Sequence, residues 1–177
     1  PFADFCERLL HDLFDPSWMV RHGAAVGLRA VIMFQGAGAG RYNPCSSLEQ
    51  SNCQHQIWIE DVTARLLSVF SLDRFADYSS DPVVAPVREA CAQALGAVLR
   101  HAESTTVTAV AAKLLSLQSY SLWDLRHSGF LGLKYVLAVC GEQAPQLLSL
   151  VYPALLKGLL DRSDDVRYVV AGACSTC

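Results

Sequence analysis

One fifteen-residue pattern occurs twice in this chain. Residues 18–32 read WMVRHGAAVGLRAVI and residues 123–137 read WDLRHSGFLGLKYVL. At an offset of 105 positions, six of the fifteen are identical: Trp18 with Trp123, Arg21 with Arg126, His22 with His127, Gly27 with Gly132, Leu28 with Leu133 and Val31 with Val136. Arg29 stands opposite Lys134. Two fainter copies keep the centre of the pattern. Val87-Arg88 is followed by Ala92, Leu95 and Val98, and Val166-Arg167 by Ala171. A repeated unit of this size cannot bury its apolar side alone, so its copies must stack on one another.

The repeated arginines fall at 21, 88, 126 and 167, with gaps of 67, 38 and 41 residues. A period near 40 with two helices per unit is the range of HEAT and armadillo arrays. The apolar spacing is helical. Ile59, Val62, Leu66, Val69 and Phe70 make one stripe, Val84, Val87, Cys91, Ala94, Leu95 and Val98 a second, and Leu148, Val151, Leu155 and Leu159 a third. Such spacing marks amphipathic helices and not strands. The expected fold is all-α: a right-handed α-solenoid of HEAT-like helical hairpins, about four pairs, the last truncated. The expected pairs are 2–14 with 16–34, 57–75 with 82–101, 105–118 with 121–140, and 144–160 with 163 onward. The whole chain, 1–177, reads as a single repeat segment of a larger protein.

Turn chemistry falls between these segments. Asp15-Pro16 and Asp81-Pro82 place a capping carboxylate before a proline at the first helical position. Gly141 ends a helix, and Gly158 sits inside one. Residues 35–56, QGAGAGRYNPCSSLEQSNCQHQ, keep no apolar period and are expected to form a flexible insertion loop between the first two pairs.

Each repeated valine enters the core at the start of a second helix. The arginine beside it pairs with aspartates of its own or the next unit, so Arg21, Arg88, Arg126 and Arg167 form a structural ladder along the stack. Trp18 and Trp123 either pack over the turn between two helices or stand out as anchors for a partner. His22 and His127 read as structural histidines near helix starts.

Composition removes several functions. Hydrophobic residues make up 52% of the chain and charged residues 18%, which excludes disorder for most of it. The net charge is −3, whereas a small domain that grips phosphates carries a basic excess, so direct nucleic-acid binding is not expected. No apolar run is long enough to span a bilayer, and no basic region leads an apolar one at the start, so neither a membrane nor a secretory role is expected. Cys6, Cys91 and Cys140 sit on apolar helical positions as small hydrophobes, in keeping with a reducing compartment.

No catalytic constellation is visible, so no enzyme, cofactor or metal is expected in this segment. GAGAGR lacks the lysine, strand and helix of a phosphate loop. Glu60-Asp61 and Asp164-Asp165 are neighbours on different sides of a helix, not acid–base pairs. Cys174-Ser-Thr-Cys177 lies in a helix without the preceding strand of a redox motif. Cys45, Cys53 and His55 lack the paired spacing of a structural zinc site.

Four segments closely resemble one family. They are WMVRHGAAVGLRAVI, SLDRFADYSSDPVVAPVREACAQALGAVLRH at 71–101, LWDLRHSGFLGLKYVLAV at 122–139 and LLKGLLDRSDDVRYVVAGA at 155–173. The family is the TATA-binding-protein-associated factor, the Snf-type ATPase that strips TATA-binding protein from promoter DNA, and the likeness is to its N-terminal HEAT region. Met19 and Ser128 depart from it, and the insertion is shorter than usual. The resemblance implies a nuclear protein whose ATP-dependent motor lies elsewhere. It also implies that this segment grips TATA-binding protein through turns along one edge of the solenoid.

The residues agree with that in sign. The turns within pairs carry Asp15, Asp73, Asp77, Asp81, Asp161, Asp164 and Asp165, opposed only by Arg74 and Arg162. An acidic edge suits a basic protein and repels phosphates. The expected partner-binding residues are Asp15, Trp18, Asp73, Arg74, Asp77, Asp81, Trp123, Asp161 and Asp164. Two other classes stay open. One is a HEAT scaffold or nuclear transport receptor, which would hold cargo on its concave helices; the other is an enzyme of cysteine or histidine chemistry.

Overall fold

The computed structural model describes residues 2–41, 47–73 and 86–176, and among these every regular element is a helix. The α-helices are α1 (Phe2–Asp12), α2 (Trp18–Gln35), α3 (Leu48–Leu72), α4 (Pro86–Leu99), α5 (Ser104–Ser116), α6 (Trp123–Val139), α7 (Ala144–Gly158) and α8 (Asp164–Cys174). They pair as hairpins: α1 with α2, α3 with α4, α5 with α6 and α7 with α8. The most extensive packing runs between second helices, α2 on α4, α4 on α6 and α6 on α8. These four form one layer, with the first helices laid against it. No described helix is long and apolar enough to cross a membrane.

The predicted stripes are the core. Ile59, Val62, Leu66, Val69 and Phe70 are at most 1% exposed, and Val87, Cys91, Ala94, Leu95 and Val98 are buried with them. Burying each side chain of this size stabilises the fold by about 1.5–3 kcal/mol. Val84 lies outside the described residues. Leu159 falls one residue beyond α7 and is exposed. Cys6, Cys91 and Cys140 are free and buried, and burial raises all three thiols above their ordinary range.

Glycines set the closest approaches. A Cβ on Gly129 would stand 2.7 Å from the carbonyl oxygen of Leu114, so α5 and α6 meet backbone to backbone there. Gly132, the repeat partner of Gly27, would press 2.6 Å from Leu114 Cδ2. Gly141 takes φ +51° just after α6 and ends it, as expected. Gly158 is the last residue of α7, and a Cβ on it would stand 2.5 Å from Phe130 Cζ.

Several boundaries shift by two or three residues, and two helix starts differ for reasons visible in their caps. α3 begins at Leu48, not at residue 57, so the stretch 35–56 contains nine residues of α3. Ser47 and Gln50 close a capping box at its start, with Ser47 Oγ accepting from the Gln50 amide and Gln50 Oε1 from the Ser47 amide. His55 Nδ1 then donates to the Ala39 carbonyl at 2.7 Å, which fixes α3 to the residues after the short 3-10 turn Gly36–Gly38. The second difference is at Pro16, which precedes α2 by two residues instead of opening it. Asp15 Oδ1 accepts the Ser17 amide at 2.7 Å, and the Ser17 carbonyl accepts the Arg21 amide, so Ser17 becomes the N-cap. Asp81-Pro82 lies outside the described residues.

Candidate functional site: the arginine–aspartate edge

The repeated Val-Arg fixes this edge in the second and fourth hairpins; in the first, Val20 is 39% exposed and does not enter the core as expected. Val87 and Val166 point into the core, which turns Arg88 and Arg167 toward the turns between paired helices. Arg21 donates through Nε and Nη2 to Asp73 Oδ1 at 3.1 and 2.8 Å, and through Nη1 to the carbonyls of Asp15 and Pro16. Arg126 repeats the arrangement 105 positions later. It binds both oxygens of Asp161 at 2.7 and 2.9 Å and the carbonyls of Tyr120 and Ser121. A bidentate, charge-assisted pair of this kind is among the stronger polar contacts a protein makes.

Arg88 joins two hairpins, its own and the α5–α6 hairpin that follows. It is 1% exposed, and it donates to the Asp124 carbonyl, to Ser128 Oγ and to the Asp73 carbonyl. The carboxylates of Asp73 and Asp124 lie 3.8 Å away on either side. Arg167 donates to the Asp161 carbonyl and to Asp164 Oδ1. Asp73 thus links Arg21 to Arg88, and Asp161 links Arg126 to Arg167. The expected ladder runs along the stack.

Electrostatics follow the geometry. The hydrogen bond from Arg126 holds the Asp161 carboxyl below its usual range, and the same bond raises Arg126. Burial pushes His127 down to about 4, helped by the Arg88 charge, so its ring is neutral at pH 7. Trp18 and Trp123 pack half-buried against the core, each with its ring centroid 6.4 Å from the histidine four residues on.

The expected contact residues therefore separate. Asp73 and Asp161 keep only 8% and 12% of their side chains exposed and face inward to arginines. Asp15 holds its own turn. Asp164 is the open carboxylate, its side chain 89% exposed, beside the exposed Arg162 and Leu160. Asp165 is half-buried. Arg74, Asp77 and Asp81 lie outside the described residues. Among the described residues no group of three or more histidines, cysteines or acids is placed to hold a metal.

A second polar ladder went unseen in the sequence. Arg29 Nη1 donates to Gln93 Oε1 at 2.7 Å, Gln93 Nε2 donates to Glu89 Oε1 and to Tyr135 Oη, and Tyr135 Oη donates to Glu89 Oε1. Lys134 Nζ sits 5.0 Å from the Tyr135 ring centroid. The bonds between helices span 64, 42 and 46 residues, and no local pattern connects positions so far apart. The only sequence signal was the Arg29–Lys134 correspondence.

No family model matches the chain. Curated relatives do. TATA-binding protein-associated factor 172 of Homo sapiens is 49% identical over 173 residues, 98% of this chain and 9% of the relative. TATA-binding protein-associated factor MOT1 of Saccharomyces cerevisiae is 38% identical over 181 residues, 96% of this chain and 10% of the relative. TATA-binding protein-associated factor BTAF1 of Arabidopsis thaliana is 48% identical over 116 residues, 66% of this chain and 6% of the relative. The chain spans about a tenth of the length of the relatives it matches end to end.

Proposed function

As a homologue of one segment of the TATA-binding protein-associated factors, this chain is, we propose, a protein-binding piece of such a regulator that grips TATA-binding protein in the nucleus. The observation that carries the reading is 49% identity over 98% of the chain to a protein named for that association. The hairpins form a right-handed HEAT-like array, and the turn edge is the contact surface. Arg21, Arg88, Arg126 and Arg167 hold the turns in register. The side chains open to a partner are then Asp164, Arg162 and Leu160, with the rims of Trp18 and Trp123. The segment performs no reaction; ATP hydrolysis belongs to a motor elsewhere in the full-length protein.

Co-elution of purified TATA-binding protein with this chain on gel filtration tests the reading. A complex is expected, and it weakens on Asp164→Lys combined with Leu160→Asp, two exposed positions whose change leaves the fold intact. Absence of a complex with a chain that retains its helical circular dichroism overturns the function. Undiminished binding by the double variant overturns the placement of the surface.

A further inference from the structure

On the layer of second helices, reaching the turn edge at Pro86 and Asp165, α4, α6 and α8 line a cleft of about 450 Å³. Its floor is apolar: Leu131 and Val169 are buried there, and Gly172 keeps it open. Carboxylates stand on opposite walls, Glu89 on α4 and Asp165 on α8. Glu89 uses Oε1 for Gln93 and Tyr135, and no bond is seen to its Oε2; Asp165 makes no ion pair among the described residues. Tyr168 stands at the mouth, 84% exposed, an uncommon position for so large a ring.

We propose that this cleft receives a cationic side chain, arginine or lysine, from an extended segment of a protein partner. The chemistry of the walls selects it. An arginine stem is apolar and would lie on Leu131 and Val169, while its head remains between two carboxylates. The exposed Tyr168 face offers the aromatic surface on which a guanidinium stacks. His127 lines the cleft as well, and a neutral imidazole does not oppose a cation. Among the described residues Lys134 is the one fixed cation of the lining, and it is drawn toward the Tyr135 ring. The two acids therefore outnumber it, leaving a charge that an incoming cation neutralises.

The test uses the 177-residue chain and a fluorescein-labelled Gly-Ala-Leu-Arg-Leu-Ala-Gly peptide, with a twin carrying citrulline, the neutral isostere, in place of arginine. Anisotropy titration gives affinities, and amide shifts in heteronuclear spectra give the location. The arginine peptide should bind about tenfold more tightly than its twin, a difference of about 1.4 kcal/mol. The shifts should centre on Glu89, His127, Asp165 and Tyr168. Tyr168→Ala and Asp165→Asn should each weaken it several-fold, while Tyr168→Phe, which keeps the ring face, should bind as the parent does. Both sites are open enough that none of these changes threatens folding. Equal affinity for the citrulline peptide, indifference to both weakening variants, or shifts confined to Leu160, Arg162 and Asp164 each overturns the proposal.

Discussion

Arg88 shows what a buried charge demands. Its guanidinium is nearly closed to water, and removing it takes a donor from the Asp73 and Asp124 carbonyls and a counter-charge from the Asp73 and Asp124 carboxylates. Breaking such a site costs far more than an open pair is worth. Arg88→Ala should destabilise the chain by about 3–5 kcal/mol, read from the urea midpoint. Arg167→Ala, at a side chain 42% exposed, should cost no more than about 1 kcal/mol. Equal effects at the two positions would remove the distinction between a buried and an open rung. Among the described residues acid works through His127 and His101, both held low by burial, and through Asp161. His127 is held well below its unfolded pKa, so its stabilising contribution is complete above about 6.5 and is lost as pH falls through about 4. Asp161 is also held low, by Arg126, so its contribution is complete above its ordinary 3.8 and is lost only below that. The melting temperature should therefore fall in two steps on acidification, and His127→Asn, which cannot ionise, should shrink the upper one to the share of His101.

At the scale of elements, the glycines divide by what faces them. Gly129→Ala drives a methyl into a carbonyl that cannot turn aside and should destabilise by about 2–3 kcal/mol. Gly23→Ala, exposed on α2 with nothing within 4 Å, should stabilise by about 0.5–1 kcal/mol through helix propensity alone. Thermal melts of both variants decide, and a destabilised Gly23→Ala would show that α2 is not helical there. Sequence could rank neither glycine, because the obstacle to Gly129 lies on another helix. What sequence did disclose were the elements with apolar periodicity and the Arg–Asp ladder, both carried by local spacing and the repeat. The first turns of α3 escaped because LEQSNCQHQ has no apolar stripe. Yet the capping signal Ser47-Leu-Glu-Gln50 was present in the letters, and it marks that helix start without help from burial. The Glu89–Tyr135 contact, by contrast, exists only through the crossing of α4 and α6, and no spacing rule reaches it.

For the whole molecule, the repeat predicts how the α2 end of the stack behaves. On α6, Asp124, Ser128, Tyr135 and Val139 are the positions that meet α4, through Arg88, Gln93 and Gly96. Shifted back by 105 positions, these become Met19, Gly23, Ala30 and Phe34 on α2. There they face solvent with Val26 and Met33 beside them; Phe34 is 83% exposed and Met19 64%. α2 thus presents to water the surface that α6 uses for docking, and none of these six residues carries a charge. A contiguous apolar face of this kind promotes association. In isolation the chain should sediment as a concentration-dependent mixture of monomer and larger species. Val26→Glu with Met33→Lys should return it to monomer while leaving the urea midpoint within about 0.5 kcal/mol, since both side chains are exposed already. A parent chain that stays monomeric throughout the concentration series would show that the face is harmless. Association undiminished in the double variant would move the sticky surface to the α7–α8 end, where Leu156 and Leu160 are exposed.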